Sequence, residues 1–297
     1  MTTAAQIEAF LIQEKQEFRM QADGNVAVEG FSSSEHYREG TLTWIKSAER
    51  WHDGLRAIAL CIVQEGVELP LPNQILCKNS KAVFFSLIER FFTVHDEDEA
   101  LIGQHTVIGK HVKLGKNVRI GHNCSITGEV EIGDDTVISD NVVIKNRVRI
   151  GKRCTVQALS MIGEDGFGAY EEENHHRVMI RHYGGVTIGD DVFVSSHVSI
   201  QRGTIDDTYI GSGTKIAPCT LVAHNSRVGE NAVLICSHLY GSVSVGDNAW
   251  IAGSIVKNQC KVGDNALVGI GSAVLSDIAA GQVVAGVPAK ALRDRVK

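Results

Sequence analysis

The side chains able to do chemistry in this 297-residue chain gather in four short stretches. The first is Val222-Ala223-His224-Asn225. The second, Gly163-Glu164-Asp165-Gly166-Phe167-Gly168, opens a polar excursion that runs through Tyr170, His175, His176 and Arg181-His182-Tyr183 to Gly184-Gly185. The third is Gln201-Arg202-Gly203-Thr204-Ile205-Asp206-Asp207-Thr208, and the fourth is a pair of tryptophans, Trp44 and Trp51, in a polar setting. An imidazole with a reference pKa near 6.5 can take up and return a proton at neutral pH, so His224 is a candidate general base. A lone histidine can equally be a solvated or structural residue. The tryptophans offer π-faces to a planar base, or else they close a small core.

The elements that hold these stretches are set by a repeat. Every sixth residue from Ile102 is aliphatic: Ile108, Leu114, Ile120, Ile126, Ile132, Ile138, Ile144, Ile150, Val156 and Ile162. Four residues after each stands a small or β-branched residue, among them Cys124, Thr136, Val142 and Cys154. Helices place apolar residues at spacings of three and four, and half-buried strands alternate. Period six fits neither and marks a hexapeptide parallel β-helix, in which three strand-plus-corner units make one coil. The corners need unusual backbone angles, which suits Gly, Asn and Asp. The repeat breaks at 163–185, resumes at Ile188, Val194 and Ile200, and slips again at 201–208. It recovers at Ile210, Ile216, Val222, Val228 and Leu234, then continues with further slips through Val245, Ile251, Val262, Val268 and Val274. A long insertion at a corner of a strict solenoid is where a binding loop is expected. His224 takes the third place of its hexapeptide, where the side chain points outward at a corner.

Residues 1–100 lack the repeat and are expected to form a small α/β domain, followed by the prism at 101–282 and a short tail at 283–297. Val26 to Val28, Leu42 to Ile45, Ile58 to Val63 and Gln74 to Cys77 are predicted strands. Ile7, Phe10 and Leu11 give a helical face after Thr2 and Thr3, and Asn79 is a predicted N-cap for a second helix. A net charge of −6 and a pI near 6.1 argue against a nucleic-acid or anionic-membrane partner. The first twenty residues carry Glu8, Glu14 and Glu17 and no long apolar run, so neither a signal peptide nor a spanning helix is expected. The seven cysteines form no C-x-x-C pair, which points to buried thiols in a reducing cytoplasm.

In order and spacing, the segments 162–168, 184–192, 202–208 and 222–225 resemble the UDP-3-O-acylglucosamine N-acyltransferases of lipid A synthesis. Gly40-Thr41-Leu42-Thr43-Trp44-Ile45 resembles the segment whose aromatic residue stacks on uracil in that family, with Trp51 near the place of a second aromatic. The resemblance implies a left-handed β-helix and a homotrimer with active sites between subunits. It also implies a nucleotide-linked amino sugar as acceptor and an acyl thioester as donor, with no metal and no bound cofactor. It assigns His224 as general base, and Trp44, Trp51, Gly166 and Phe167 to the nucleotide sugar. An oxyanion contact would come from the backbone beside His224 or from a glycine amide of the facing coil.

The chain departs from that family at several positions. Ala217 stands where an aspartate would orient the histidine, Gln201 replaces an acidic residue, and Gln259 replaces a second histidine. His197 and His238 are extra histidines that could partly substitute. Gly286-Val287-Pro288-Ala289-Lys290 resembles the terminus of coenzyme A-dependent hexapeptide acetyltransferases, which assigns Gly286 and Lys290 to the donor. Few residues follow Lys290, so acetyl-CoA is expected rather than a long acyl chain on acyl carrier protein, giving an N-acetylated nucleotide sugar for a surface glycan. Two other classes remain: a trimer binding zinc through histidines, as in the γ-type carbonic anhydrases, and a nucleotide-sugar-binding module without catalysis.

Overall fold

A computed structural model describes residues 1–93 and 101–295. The chain divides into two compact units, Met1–Asp98 and Glu99–Lys297. The junction expected at residue 100 lies outside the described residues.

The first unit is a five-stranded sheet with two helices. Its strand order is Phe18–Gln21, Gln74–Cys77, Leu60–Gln64, Thr41–Ile45, Gly30–Phe31, antiparallel at the first pairing and parallel elsewhere. The edge strands Phe18–Gln21 and Gly30–Phe31 carry no strong β pattern and were not among the expected strands. Helix α1, Ala4–Gln13, begins at a capping box between Thr3 and Gln6, which satisfies amide groups left free at the helix start. Helix α2, Ser80–Phe92, is capped by the Asn79 side chain, which accepts from the Ala82 amide, as predicted. Both helices bury one face on the sheet: Ile7, Leu11, Val83, Phe84 and Leu87 pack with Leu42, Leu60, Ile62 and Ile75. The alternate residues Ile45, Cys61 and Val63 face the other side and pack with Leu55, Leu69 and Leu71.

The second unit is the expected mainly β parallel helix. Strands stack in three ladders, one per face, with partners 18 residues apart through the early coils, for example Ser125 with Val143 and Val137 with Thr155. Every aliphatic residue of the period from Ile120 onward is buried, along with the small partners Cys124, Thr136, Val142 and Cys154. Ile102 and Leu114 are exposed, because the first coil has a stacked neighbour on one side only within the prism. Corners adopt the left-handed backbone at Asn117, Asn123, Asp135, Asn141, Asn231 and Asn248, among others, where short polar side chains tolerate it best.

The slips have a measurable size. Met161 pairs with Ser199, 38 residues on rather than 18, so the excursion adds twenty residues to its coil. Ser199 pairs with Leu221, 22 residues on, so the second slip adds four. Later coils shorten to 17, as in Leu221 with His238 and Val233 with Trp250. This shortening brings Leu239 and Val256 inward, two core positions that a strict period of six passes over. The chain ends in a hairpin of Gln282–Ala285 with Lys290–Asp294.

Candidate active site at one corner of the prism

Both slips and His224 fall at the same corner in successive coils. Hydrogen bonds show the stack: the Gly163 amide donates to the Ile200 carbonyl, Gln201 to Val222, Ala223 to Leu239, and Ser242 to His224. The corner therefore carries, coil by coil, the excursion 163–185, the slip 201–207, His224-Asn225 and 240–242. The Gln259 amide donates to the Gly241 carbonyl one coil further on.

His224 lies half-buried between two glycines. A Cβ on Gly166 would sit 2.7 Å from His224 Cδ2 and 2.9 Å from its Cβ. A Cβ on Gly241 would sit 2.7 Å from Cε1 and 2.8 Å from Nε2. Only glycine lets the excursion and the facing coil close on the imidazole at these distances. Burial holds the His224 pKa below its ordinary 6.5, the nearby His182 lowers it further, and the Phe167 carbonyl opposes both. The ring is thus neutral at neutral pH, the state a base requires. Its Nδ1 is buried without a hydrogen-bond partner.

The excursion brings in a residue to which its sequence motif assigned no role of its own. After the hairpin of Ala169–Glu171 with Arg177–Met179, the chain returns and places His182, fully buried, edge-on to His224 with ring centroids 5.2 Å apart at 81°. Nothing local in Arg181-His182-Tyr183 distinguishes His182 from His175 and His176, which are exposed at the hairpin tip.

Buried polar contacts hold the base of the excursion. Arg202, 9% exposed, donates from Nε to the Gly184 carbonyl at 2.6 Å and lies 3.8 Å from Asp165. Asp165 in turn accepts from the His182 amide at 3.3 Å. Asp207 accepts from the Gly185 amide and from Thr187, and pairs with Arg147 at 2.6 Å. Burial alone would raise the Asp207 pKa, but these donors, Arg147 foremost, hold it below the usual carboxylate range. Asn225 accepts from the Thr204 amide at 2.7 Å, fixing the second slip beside His224. The motif residues Arg202, Asp207 and Asn225 are therefore structural ties of the loop.

The other expected residues are placed as follows. Gly166 and Phe167 both reach His224, Gly166 by close packing and Phe167 through its carbonyl, while the Phe167 side chain is 79% exposed. His197 is exposed at another corner, and His238 is exposed on the strand that pairs with Leu221. Ala217 brings no charge, and Gln259 stands at the His224 corner two coils on. Gly286 and Lys290 lie at the turn after Gln282–Ala285, where the Gly286 amide meets Ser272, and that strand belongs to a different ladder from Leu221–Val222, which leads into His224. Trp44 and Trp51 do not form a pair. Trp44 packs on the helix side of its sheet, 6.4 Å from Phe84, and Trp51 packs on the opposite side with Arg56 over its ring. Strand alternation puts Trp44 on one face, and the turn 48–50 carries Trp51 to the other, so the two rings cannot clamp one base between them. Among the described residues no group of three or more His, Cys, Asp or Glu is placed to hold a metal, and no helix is long and apolar enough to cross a membrane.

Comparison with known proteins places these features. Residues 87–167 match the family model described as GMPPB C-terminal domain. The chain is 43% identical over 84 residues to UDP-3-O-acylglucosamine N-acyltransferase of Coxiella burnetii, a match covering 28% of this chain and 25% of that one. With the enzyme of the same name from Pseudomonas paraeruginosa it is 38% identical over 89 residues, 30% of this chain and 25% of that one. The chain thus spans about a quarter of the length of the curated relatives it matches. The solved structure of LpxA from Acinetobacter baumannii superposes with a TM-score of 0.60 at 25% identity, over 66% of this chain and 74% of that one. The UDP-N-acetylglucosamine O-acyltransferase of Moraxella catarrhalis gives 0.58 at 25%, over 64% and 72%. The protein is a hexapeptide-repeat β-helix related to these acyltransferases, with partial homology to UDP-3-O-acylglucosamine N-acyltransferase.

Proposed function

We propose that this protein is an N-acyltransferase that moves an acyl group from a coenzyme A thioester, acetyl-CoA in our reading, to the amine of a nucleotide-linked amino sugar used for a surface glycan. The observation that carries the reading is His224: a neutral imidazole, half-buried at a prism corner between two glycines and covered by the excursion. Partial homology to enzymes named for N-acylation of a UDP-linked glucosamine supports the acceptor class. The segment 286–290 supports coenzyme A as donor.

The chemistry asks little of the protein. The substrate amine attacks the thioester carbonyl while His224 takes a proton from the nitrogen as the C–N bond forms. Collapse of the tetrahedral intermediate breaks the C–S bond, and the imidazolium returns the proton to the departing thiolate. The Gly241 amide, on the facing coil beside the imidazole, is the proposed donor to the oxyanion. Gly286 and Lys290 lie at the turn after a strand of a different ladder of their own chain, so in this reading they serve a neighbouring copy's His224 in a homotrimer. In this reading the nucleotide base stacks on a single tryptophan, Trp44 or Trp51.

The test is thiol release from acetyl-CoA, longer acyl-CoA and acyl carrier protein thioesters, against a panel of UDP- and dTDP-amino sugars. Acetyl-CoA with one amino sugar is the expected pair, and release from acyl carrier protein alone would transfer the reading to long-chain acylation. Removing a positioned base costs about 10²–10⁴ in rate, so His224→Asn lowers kcat at least a hundredfold with little change in either KM. Tight nucleotide-sugar binding without thiol release from any donor would establish a binding module instead.

A further inference from the structure

We propose that His182 is the positioning residue of His224, holding the ring of the base from the excursion side. The proposal rests on the reading of His224 as general base. It begins from two buried nitrogens without partners, Nε2 of His182 and Nδ1 of His224, on rings 5.2 Å apart at 81°. Two unpaired imidazole nitrogens in one buried cluster are unusual in a packed interior.

His182 is itself held in place. Its Nδ1 lies 3.0 Å from the Ile180 carbonyl oxygen. A carbonyl only accepts, so Nδ1 carries the proton and Nε2 is left as an acceptor. Its amide donates to Asp165, its Cε1 lies 3.7 Å from the place a Gly168 Cβ would take, and the ring has no exposed surface. A ring so fixed gives His224 a rigid wall, while Gly166 and Gly241 close the other sides.

This arrangement differs in kind from a carboxylate partner. A carboxylate would stabilise the imidazolium, whereas a second imidazole opposes a second positive charge. Asp165, which accepts from the His182 amide, faces Arg202 at 3.8 Å, and Arg181 precedes His182 in the chain. Gln201, with its Oε1 3.0 Å from the place of a Gly166 Cβ, brings no charge. His182 thus adds to burial in lowering the His224 pKa, and His224 stays an unprotonated base to lower pH than it would alone.

The experiment is a histidine ring titration by NMR on the full chain, with the His224 resonance assigned by its loss in His224→Asn. His182→Phe keeps the ring volume and edge packing but removes nitrogen and charge; His182→Gln serves if the phenylalanine variant does not fold. Loss of the second imidazole should raise the His224 midpoint, since His182 is one of the two causes that lower it. The acid limb of kcat/KM should move with it, and kcat should fall about tenfold at unchanged KM. A His224 midpoint unmoved in a folded, active variant overturns the positioning role and leaves the proposed activity intact. Full activity of His224→Asn overturns both, because the base would then lie elsewhere, whatever the midpoint does.

Discussion

Gly166 and Gly168 lie two residues apart on the same stretch of the excursion, and the structure predicts opposite outcomes for the same substitution. Neither has a positive φ, so backbone strain does not separate them. A Cβ at Gly166 meets His224 at 2.7 and 2.9 Å and Gln201 Oε1 at 3.0 Å. A Cβ at Gly168 meets His182 and Ile180 at 3.7–3.9 Å, an ordinary contact. In Gly166→Ala either the loop lifts or the imidazole turns. Overpacking of this kind costs about 1–3 kcal/mol, a Tm loss of several degrees for a chain of this size. If the imidazole gives way, a base displaced by about 1 Å loses about 10² in rate. Gly168→Ala should keep wild-type Tm within a degree or two and kcat within about twofold. The assays are thermal melting and thiol release, run side by side on both variants. Equal behaviour of the two alanines, whether both harmless or both damaging, would refute the claim that the excursion seats His224 through Gly166.

Further outcomes follow from the same geometry. Stacking on one aromatic is worth roughly 1–3 kcal/mol, so Trp44→Ala or Trp51→Ala, but not both, should raise KM for the nucleotide sugar one to two decades with the donor KM unchanged. Unchanged KM in both folded variants returns both rings to core packing. With the His224 pKa lowered by burial and by His182, activity should persist below pH 6.5 and fall only on further acidification. The same group gives a stability that is full above pH 6.5 and lost as the pH drops through its folded pKa; a melting profile flat from pH 7 to 5 would contradict the shift. Sedimentation should find a trimer, and a stable monomer at micromolar concentration would separate Gly286 and Lys290 from any shared site.

The period-six pattern determined the prism because its warrant is local. Whether Ile126, Ile138 or Ile144 points inward depends on its place in its own hexapeptide, and all three are fully buried. The Asn79 cap and the left-handed corner asparagines were equally legible, since each involves only a few neighbouring residues. The late slips were visible, but not that their five-residue steps bury Leu239 and Val256, because the register of a late coil is set by pairing with the coil before it. The tryptophan pair failed for a similar reason: the short turn at 48–50 decides which face Trp51 joins, and no spacing rule carries across it. His224 stood out by its corner and its motif. His182 did not, because twenty inserted residues had to leave the prism, form a hairpin and return before the Ile180 carbonyl could fix its ring and Asp165 its amide. Only the stacked coils bring residues 42 positions apart to within 5.2 Å, and that proximity is a property of the tertiary structure alone.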